Sequence, residues 1–183
     1  MISFQEAKSI INNNIFELQS ERVYLTLAGN RVLGQDIVAT FPSPIFDNSA
    51  MDGFAVRSRD TKGASLENPV TLTMVSISSA GTPSNVSLNP GECIQCMTGA
   101  KIPDGADAII MVEDSSGFSD SGAVQIMIET FPGKHIRKMG EEIKEGEILI
   151  QKGTTATPSE IGTCATFGYG ELVVSKKPKI AIF

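Results

Sequence analysis

The stretch Phe46-Asp47-Asn48-Ser49-Ala50-Met51-Asp52-Gly53 sets two carboxylates, small residues and a glycine just ahead of the apolar triplet Phe54-Ala55-Val56. Loops of that chemistry hold ions or ligands. Asp47 and Asn48 favour turn geometry, and Gly53 permits a backbone conformation or a close ligand approach that a side chain would block. Asp52 is therefore the carboxylate with the best claim to chemistry. The same residues also read as an Asx-type turn entering a strand, and turn chemistry alone leaves both readings open. A basic cluster, Lys134, Arg137 and Lys138, precedes Gly140. In an acidic chain it is either a phosphate site or a solvated charged turn. Cys93-Ile94-Gln95-Cys96 has CxxC spacing, but zinc needs two more ligands and only Cys164 and the lone His135 are on offer. In a strand two thiols at that spacing point to opposite faces, so they read as buried structural cysteines.

The elements that must position these residues are mostly strands. Val70 to Ile77, Glu92 to Met97, Ala108 to Val112 and Ala123 to Ile128 are short apolar or β-branched runs. They are punctuated by Gly-Thr-Pro at Gly81, Asn-Pro-Gly at Asn89, Pro-Asp-Gly at Pro103 and Ser-Gly pairs near Gly117 and Gly122. That spacing predicts a small barrel or sandwich. Around it lie a strand-rich segment from Glu21, a strand at Glu147 to Ile150 and a strand at Leu172-Val173-Val174. Two helices are predicted. The first starts at Ser3 with Glu6 closing a capping box and carries the stripe Phe4, Ala7, Ile10, Ile11, Ile15 and Leu18, which asks for a partner surface. The second starts at Thr157 with Pro158 and Glu160 and ends at Gly168.

Composition narrows the function classes. At 183 residues the chain can bury a real core, and 41% hydrophobic with 20% charged residues describes a globular protein. A formal charge of -6 and pI near 4.8 argue against sequence-independent nucleic-acid binding, which depends on Lys and Arg. Gln5, Glu6 and Lys8 break any secretory h-region, and no run of about 18 apolar residues occurs, so no membrane partner is expected. Three cysteines make no disulfide framework, and the expected location is cytoplasmic.

The loop from Phe46 to Val56 closely resembles the signature F-D-N-S-A-M-D-G-[FY]-A-V of the molybdopterin molybdenumtransferase family, the MoeA and gephyrin E-domain type. Three further stretches resemble that family in the same order: Met97 to Ala108, Ile136 to Glu142, and Gly168 to Phe183. The resemblance implies insertion of molybdate into adenylylated molybdopterin with release of AMP, assisted by Mg2+. Clustered anions in such a reaction repel, so a metal held by carboxylates and a few donors must offset their charge. Asp52 is then a catalytic, metal-side or water-positioning carboxylate. Thr98 is a second catalytic residue, its hydroxyl donating to an oxyanion in the small-residue loop Thr98-Gly99-Ala100. Ser49, Gly53, Gly99, Ala100 and Arg137 are substrate- or anion-binding residues, and Glu142 is a second metal ligand. His135 stands where the family usually has Asn and is given no catalysis. Glu142 stands where it usually has Asp, one methylene longer.

The implied fold is α+β, mostly β with a few helices: a small β-barrel-like domain inserted into a second domain assembled from discontinuous segments. Its parts are an N-terminal helix in residues 1–20, a first domain from 21–45 plus 140–178, a barrel-like domain over 46–139, and at 179–183 the first strand of an α/β domain. That last strand reads as the start of an element, so the chain is expected to be the N-terminal part of a longer protein and inactive alone. Implied partners are a second copy in a homodimer, a molybdopterin adenylyltransferase-type protein upstream and molybdoenzymes downstream. A module from another class competes with this reading: a non-catalytic dimerisation or scaffold unit with the same fold.

Overall fold

Short apolar runs broken by turn residues fold as strands, and the computed structural model, which describes residues 2–118 and 122–182, is mostly β with two α-helices. Ser121, in one of the predicted Ser-Gly turns, and Phe183 lie outside the described residues. The elements are α1 (Phe4–Asn13), β1 (Ser20–Tyr24), β2 (Ile37–Val38), β3 (Asn48–Ser49), β4 (Gly53–Val56), β5 (Val70–Ser78) and β6 (Glu92–Cys96). After these come β7 (Ala108–Met111), β8 (Ala123–Ile126), β9 (Ile136–Arg137), β10 (Ile148–Ile150), α2 (Pro158–Thr166) and β11 (Glu171–Ser175). They pack as two compact units, one of Met1–Thr40 with Gly146–Phe183 and one of Phe41–Glu145. Among the described residues no helix is long and apolar enough to cross a membrane.

In the first unit β1 pairs antiparallel with β11 and β2 with β10, over a core that includes Leu33, Ile37, Cys164, Leu172 and Val174. Helix α2 begins as its capping box predicts, the Glu160 carboxylate accepting from the Thr157 N–H at 2.9 Å. It ends at Gly168, whose φ of +79° suits a residue without Cβ. Helix α1 also begins where predicted, with Ser3 N–H donating to Glu6 at 2.7 Å and Glu6 N–H to the Ser3 hydroxyl at 3.2 Å. It stops at Asn13 rather than Leu18. The Asn14 side chain turns back to the Ile10 carbonyl at 2.7 Å, and an Asn12-Asn13-Asn14 run competes with the helical ladder for its own backbone. Ile15 and Leu18 therefore leave the predicted stripe. No residue of α1 is buried, as its unpartnered stripe implied, and Phe4 is 77% exposed. Lys179–Ile182, predicted to open a strand, belongs to no sheet among the described residues, because a strand exists only through a neighbour to bond with.

The second unit is built on a five-stranded sheet, order β7-β4-β6-β5-β8, curled into a half-barrel. All its pairings are antiparallel except β5 with β6, and residues 79–91 supply the crossover of about a dozen residues that a parallel pair needs. Strand β4, paired on both sides, is buried throughout. Phe54 and Val56 point into a cluster with Leu72, Cys93, Ile110 and Val124, while Ala55 joins Leu88, Ile94, Cys96, Ala100 and Ile109 on the other face. Cys93 and Cys96 thus sit in different clusters, as alternation along a strand requires. Burial pushes their thiols up, to about 12 and about 11.

Candidate functional site

Asp52 sits at the end of a loop that neighbouring segments stitch in place. Strand β3 pairs with β9, Asn48 opposite Arg137 and Ser49 opposite Ile136. Ser49 N–H donates to the Ala100 carbonyl at 3.0 Å, and Gly99 N–H donates to the Ser49 carbonyl at 2.8 Å. Ala50 N–H reaches the His135 carbonyl at 2.9 Å, and the Asp52 carbonyl accepts from Val112 N–H at 3.0 Å. The loop is therefore anchored on three sides before any side chain acts.

At its tip the Asp52 carboxylate is exposed, and its Oδ1 accepts two bonds from one residue: Thr98 N–H and Thr98 Oγ–H, both at 2.7 Å. The backbone donor first and the hydroxyl second hold the carboxyl below its ordinary value, so Asp52 is ionised at neutral pH. Oδ2 has no hydrogen bond among the described residues. A fixed, ionised oxygen facing solvent can take a cation or orient a water.

Several predicted roles change with the geometry. The Thr98 hydroxyl donates to Asp52 instead of pointing to solvent as an oxyanion donor, because a charge-assisted bond to a carboxylate outcompetes one to water. The Thr98-Gly99-Ala100 turn offers no free amide from residue 97 to 100. Met97 N–H goes to the Ser78 carbonyl at 3.0 Å and Ala100 N–H to the Met97 carbonyl at 2.9 Å, the other two being committed as above. Gly99 holds φ at +78°, which explains its identity by backbone conformation. Ala100 is buried. Ser49 is wholly buried, its hydroxyl donating to the Met51 carbonyl at 2.6 Å, so it shapes the loop from inside rather than meeting an anion. Gly53 is needed for strand packing: a Cβ there would lie 1.9 Å from the Ile110 carbonyl oxygen.

Two of the three cations of the basic cluster are ion-paired within the chain itself. Arg137 is paired with Glu141, at 3.2 Å, and with Glu142. Lys138 Nζ lies 2.8 Å from Asp47, whose other oxygen accepts from Met139 N–H at 2.9 Å. Lys134 lies over the Phe131 ring. Glu142 also accepts from the Ser43 hydroxyl at 3.2 Å, so it is bound into this cluster and shares no hydrogen bond with Asp52. Among the described residues no three His, Cys, Asp or Glu side chains are grouped to hold a metal ion. His135 has φ +57°, a left-handed conformation that Asn adopts most readily after Gly, so the position is set by backbone geometry. The anchoring parts played by Ser78 and Val112 carry no signal in the sequence, since they act through the main chain.

Comparison with known proteins places this geometry. The family described as "MoeA N-terminal region (domain I and II)" matches residues 2–168. Molybdopterin molybdenumtransferase 2 of Mycobacterium tuberculosis is 40% identical over 182 residues, covering 100% of this chain and 44% of that protein. Molybdopterin molybdenumtransferase of Bacillus subtilis is 39% identical over 171 residues, covering 91% of this chain and 40% of that protein. The crystal structure of the molybdopterin biosynthesis moeA protein from Pyrococcus horikoshii OT3 aligns with a TM-score of 0.88 at 34% identity, over 97% of this chain and 47% of that one. The chain thus spans less than half the length of these relatives.

Proposed function

The chain belongs to the MoeA N-terminal family, and on that premise we propose that it serves molybdenum cofactor biosynthesis as part of a molybdopterin molybdenumtransferase. In this reading molybdate is inserted into adenylylated molybdopterin and AMP is released. The observation that carries it is the Asp52 carboxylate, ionised, exposed and held by both donors of Thr98. Molybdate, dithiolene and phosphoanhydride gather negative charge, and Arg137 and Lys138, two cations of the basic cluster, are already paired with the chain's own carboxylates.

Mg2+ is commonly held by one or two carboxylates with substrate phosphates completing its shell. Asp52 Oδ2 suits that role and Glu142, committed to Arg137 and Ser43, does not. When bound, the ion supplies neutralisation of the anhydride charge. Thr98 fixes where the Asp52 charge sits, Ser49 fixes the loop that carries it, and Arg137 holds β9 beside that loop through its carboxylate partners. The exposed apolar face of α1 supports a homodimer, and the buried reduced thiols suit a cytoplasmic setting.

The test is Asp52→Asn in the full-length protein, assayed with adenylylated molybdopterin, molybdate and magnesium. Asn keeps an acceptor for Thr98 and loses only the charge. Molybdate insertion is expected to fall at least tenfold with pterin binding retained. Wild-type turnover would leave Asp52 as a turn-forming residue. Absence of turnover in the full-length wild type would instead favour the second reading, supported by α1, a non-catalytic dimerisation module.

A further inference from the structure

Arg31 and Arg57 both keep side chains that are only 11% exposed, and the fold treats them differently. Arg31 donates to Glu21 at 2.5 Å and to the Ser175 carbonyl at 2.6 Å. The Arg57 guanidinium makes no hydrogen bond among the described residues, and Asp60, its ion-pair partner, stands 3.7 Å from its Nε. That distance is out of hydrogen-bond reach. The main chain holds Asp60 off, since its Oδ2 accepts from Gly91 N–H at 3.0 Å. A guanidinium that is nearly covered gives up water and needs acceptors in return. Among the described residues no fully buried side-chain nitrogen or oxygen lacks a partner, so the unbonded Arg57 nitrogens face open space.

That space is an open cavity of about 360 Å3 lined by Arg57, Arg59, Leu88, Gly105 and Asp107. Its donors are free and its acceptor is committed. Arg59, 74% exposed, comes no nearer than 4.0 Å to Asp60. Gly105 N–H has no hydrogen bond among the described residues, and its backbone runs so close to Leu88 that a Cβ would lie 2.6 Å from the Leu88 carbonyl oxygen. Asp107, the carboxylate of the lining, accepts at Oδ1 from Ser58 N–H at 2.6 Å and at Oδ2 from Ser58 Oγ–H at 2.9 Å. Arg57 follows β4 where Asp52 precedes it, so the cavity lies at the other end of that strand from Asp52.

We propose that this cavity is an anion site separate from Asp52, which takes a phosphoryl group through Arg57, Arg59 and the Gly105 N–H. The planar fork of arginine matches pairs of phosphate oxygens. A tetrahedral dianion offers oxygens to two guanidinium groups and an amide at once, whereas a carboxylate has one charge and two oxygens to share. Asp60 is then the counter-ion that an arriving phosphate displaces electrostatically. Free phosphate and a phosphate ester share this chemistry. The inference does not depend on the functional reading above.

The test is a 15N–1H NMR titration of the 183-residue chain, read at the Arg57 Nε–H and the Gly105 amide. Sodium phosphate, ribose 5-phosphate and sodium acetate are added separately, each against sodium chloride at matched ionic strength. Both signals should move saturably with the two phosphates and bind acetate about tenfold more weakly or worse, while the bonded Arg31 Nε–H stays in place. Tighter binding of ribose 5-phosphate than of phosphate identifies an esterified phosphoryl group as the occupant, and the reverse identifies free phosphate. Arg59→Gln, at an exposed position, should weaken phosphate about tenfold. Asp60→Asn keeps an acceptor for Gly91 N–H and removes the charge that competes for both guanidinium groups, so it should bind phosphate more tightly than wild type. Signals that follow ionic strength alone overturn the site, as does acetate bound as tightly as phosphate. A folded Arg59→Gln chain with wild-type affinity, or a folded Asp60→Asn chain that binds no better than wild type, overturns it as well.

Discussion

Gly53→Ala distinguishes two reasons for a glycine next to a functional carboxylate, closeness to a ligand and closeness to the chain's own backbone. The added methyl would stand 1.9 Å from the Ile110 carbonyl oxygen, 2.9 Å from its carbon and 3.0 Å from Met111 Cα. Real Cβ contacts essentially never fall under 3.0 Å, so β4 and β7 must part by about 1 Å at this point. The obstacle is backbone and cannot rotate away. An ångström added to a ladder bond of about 2.9 Å breaks it. Losing one or two such bonds costs about 0.5–1.5 kcal/mol each and overpacking costs about 1–3 kcal/mol, together roughly 1.5–6 kcal/mol. With a urea m-value of about 2 kcal/mol/M the midpoint should fall by roughly 0.8–3 M. The chain has no Trp, so circular dichroism is the suitable probe of unfolding. In the full-length protein activity and stability should fall together. A variant within about 0.5 kcal/mol of wild type would refute the packing argument. If it were also inactive, ligand approach would be the reason for the glycine.

Thr98→Ala should raise the Asp52 carboxyl toward its ordinary value without reaching it, since the backbone N–H, the larger of the two causes, survives. A carboxyl held low contributes stability above its unfolded value that is lost as pH falls through the lowered folded value, so the variant should show a smaller acid-dependent loss. Side-chain 13C NMR of Asp52 against pH measures this, and an unmoved titration would contradict the hydroxyl bond. With thiols pushed up to about 12 and about 11, Cys93 and Cys96 should ignore an aromatic disulfide reagent at pH 8 in the folded chain and react in urea. Fast labelling of the native chain at either position would contradict the burial. Ile10→Glu with Ile11→Glu places charges on the exposed face of α1 and should abolish self-association in light scattering with the fold retained; a wild-type chain that is already monomeric would remove α1 from the proposed dimer.

What could be read in advance depended on how far along the chain the deciding atoms lie. Both capping boxes were legible because an N-cap and its partner are three residues apart, and the strands because their apolar runs are local. The end of α1 was misplaced by one side chain, Asn14, whose bond to Ile10 has no apolar periodicity to betray it. Gly53 was assigned to a ligand or a turn, whereas the atom that forbids a Cβ belongs to Ile110, brought beside it only by the β4–β7 register. The Thr98-Gly99-Ala100 turn had the residue types of an anion loop, yet residue type does not say where an N–H points. Ser78, Asp52, Ser49 and Met97 had already claimed those donors. A carboxylate is conspicuous in sequence because its charge is intrinsic. A donor becomes a site only when folding leaves it unclaimed.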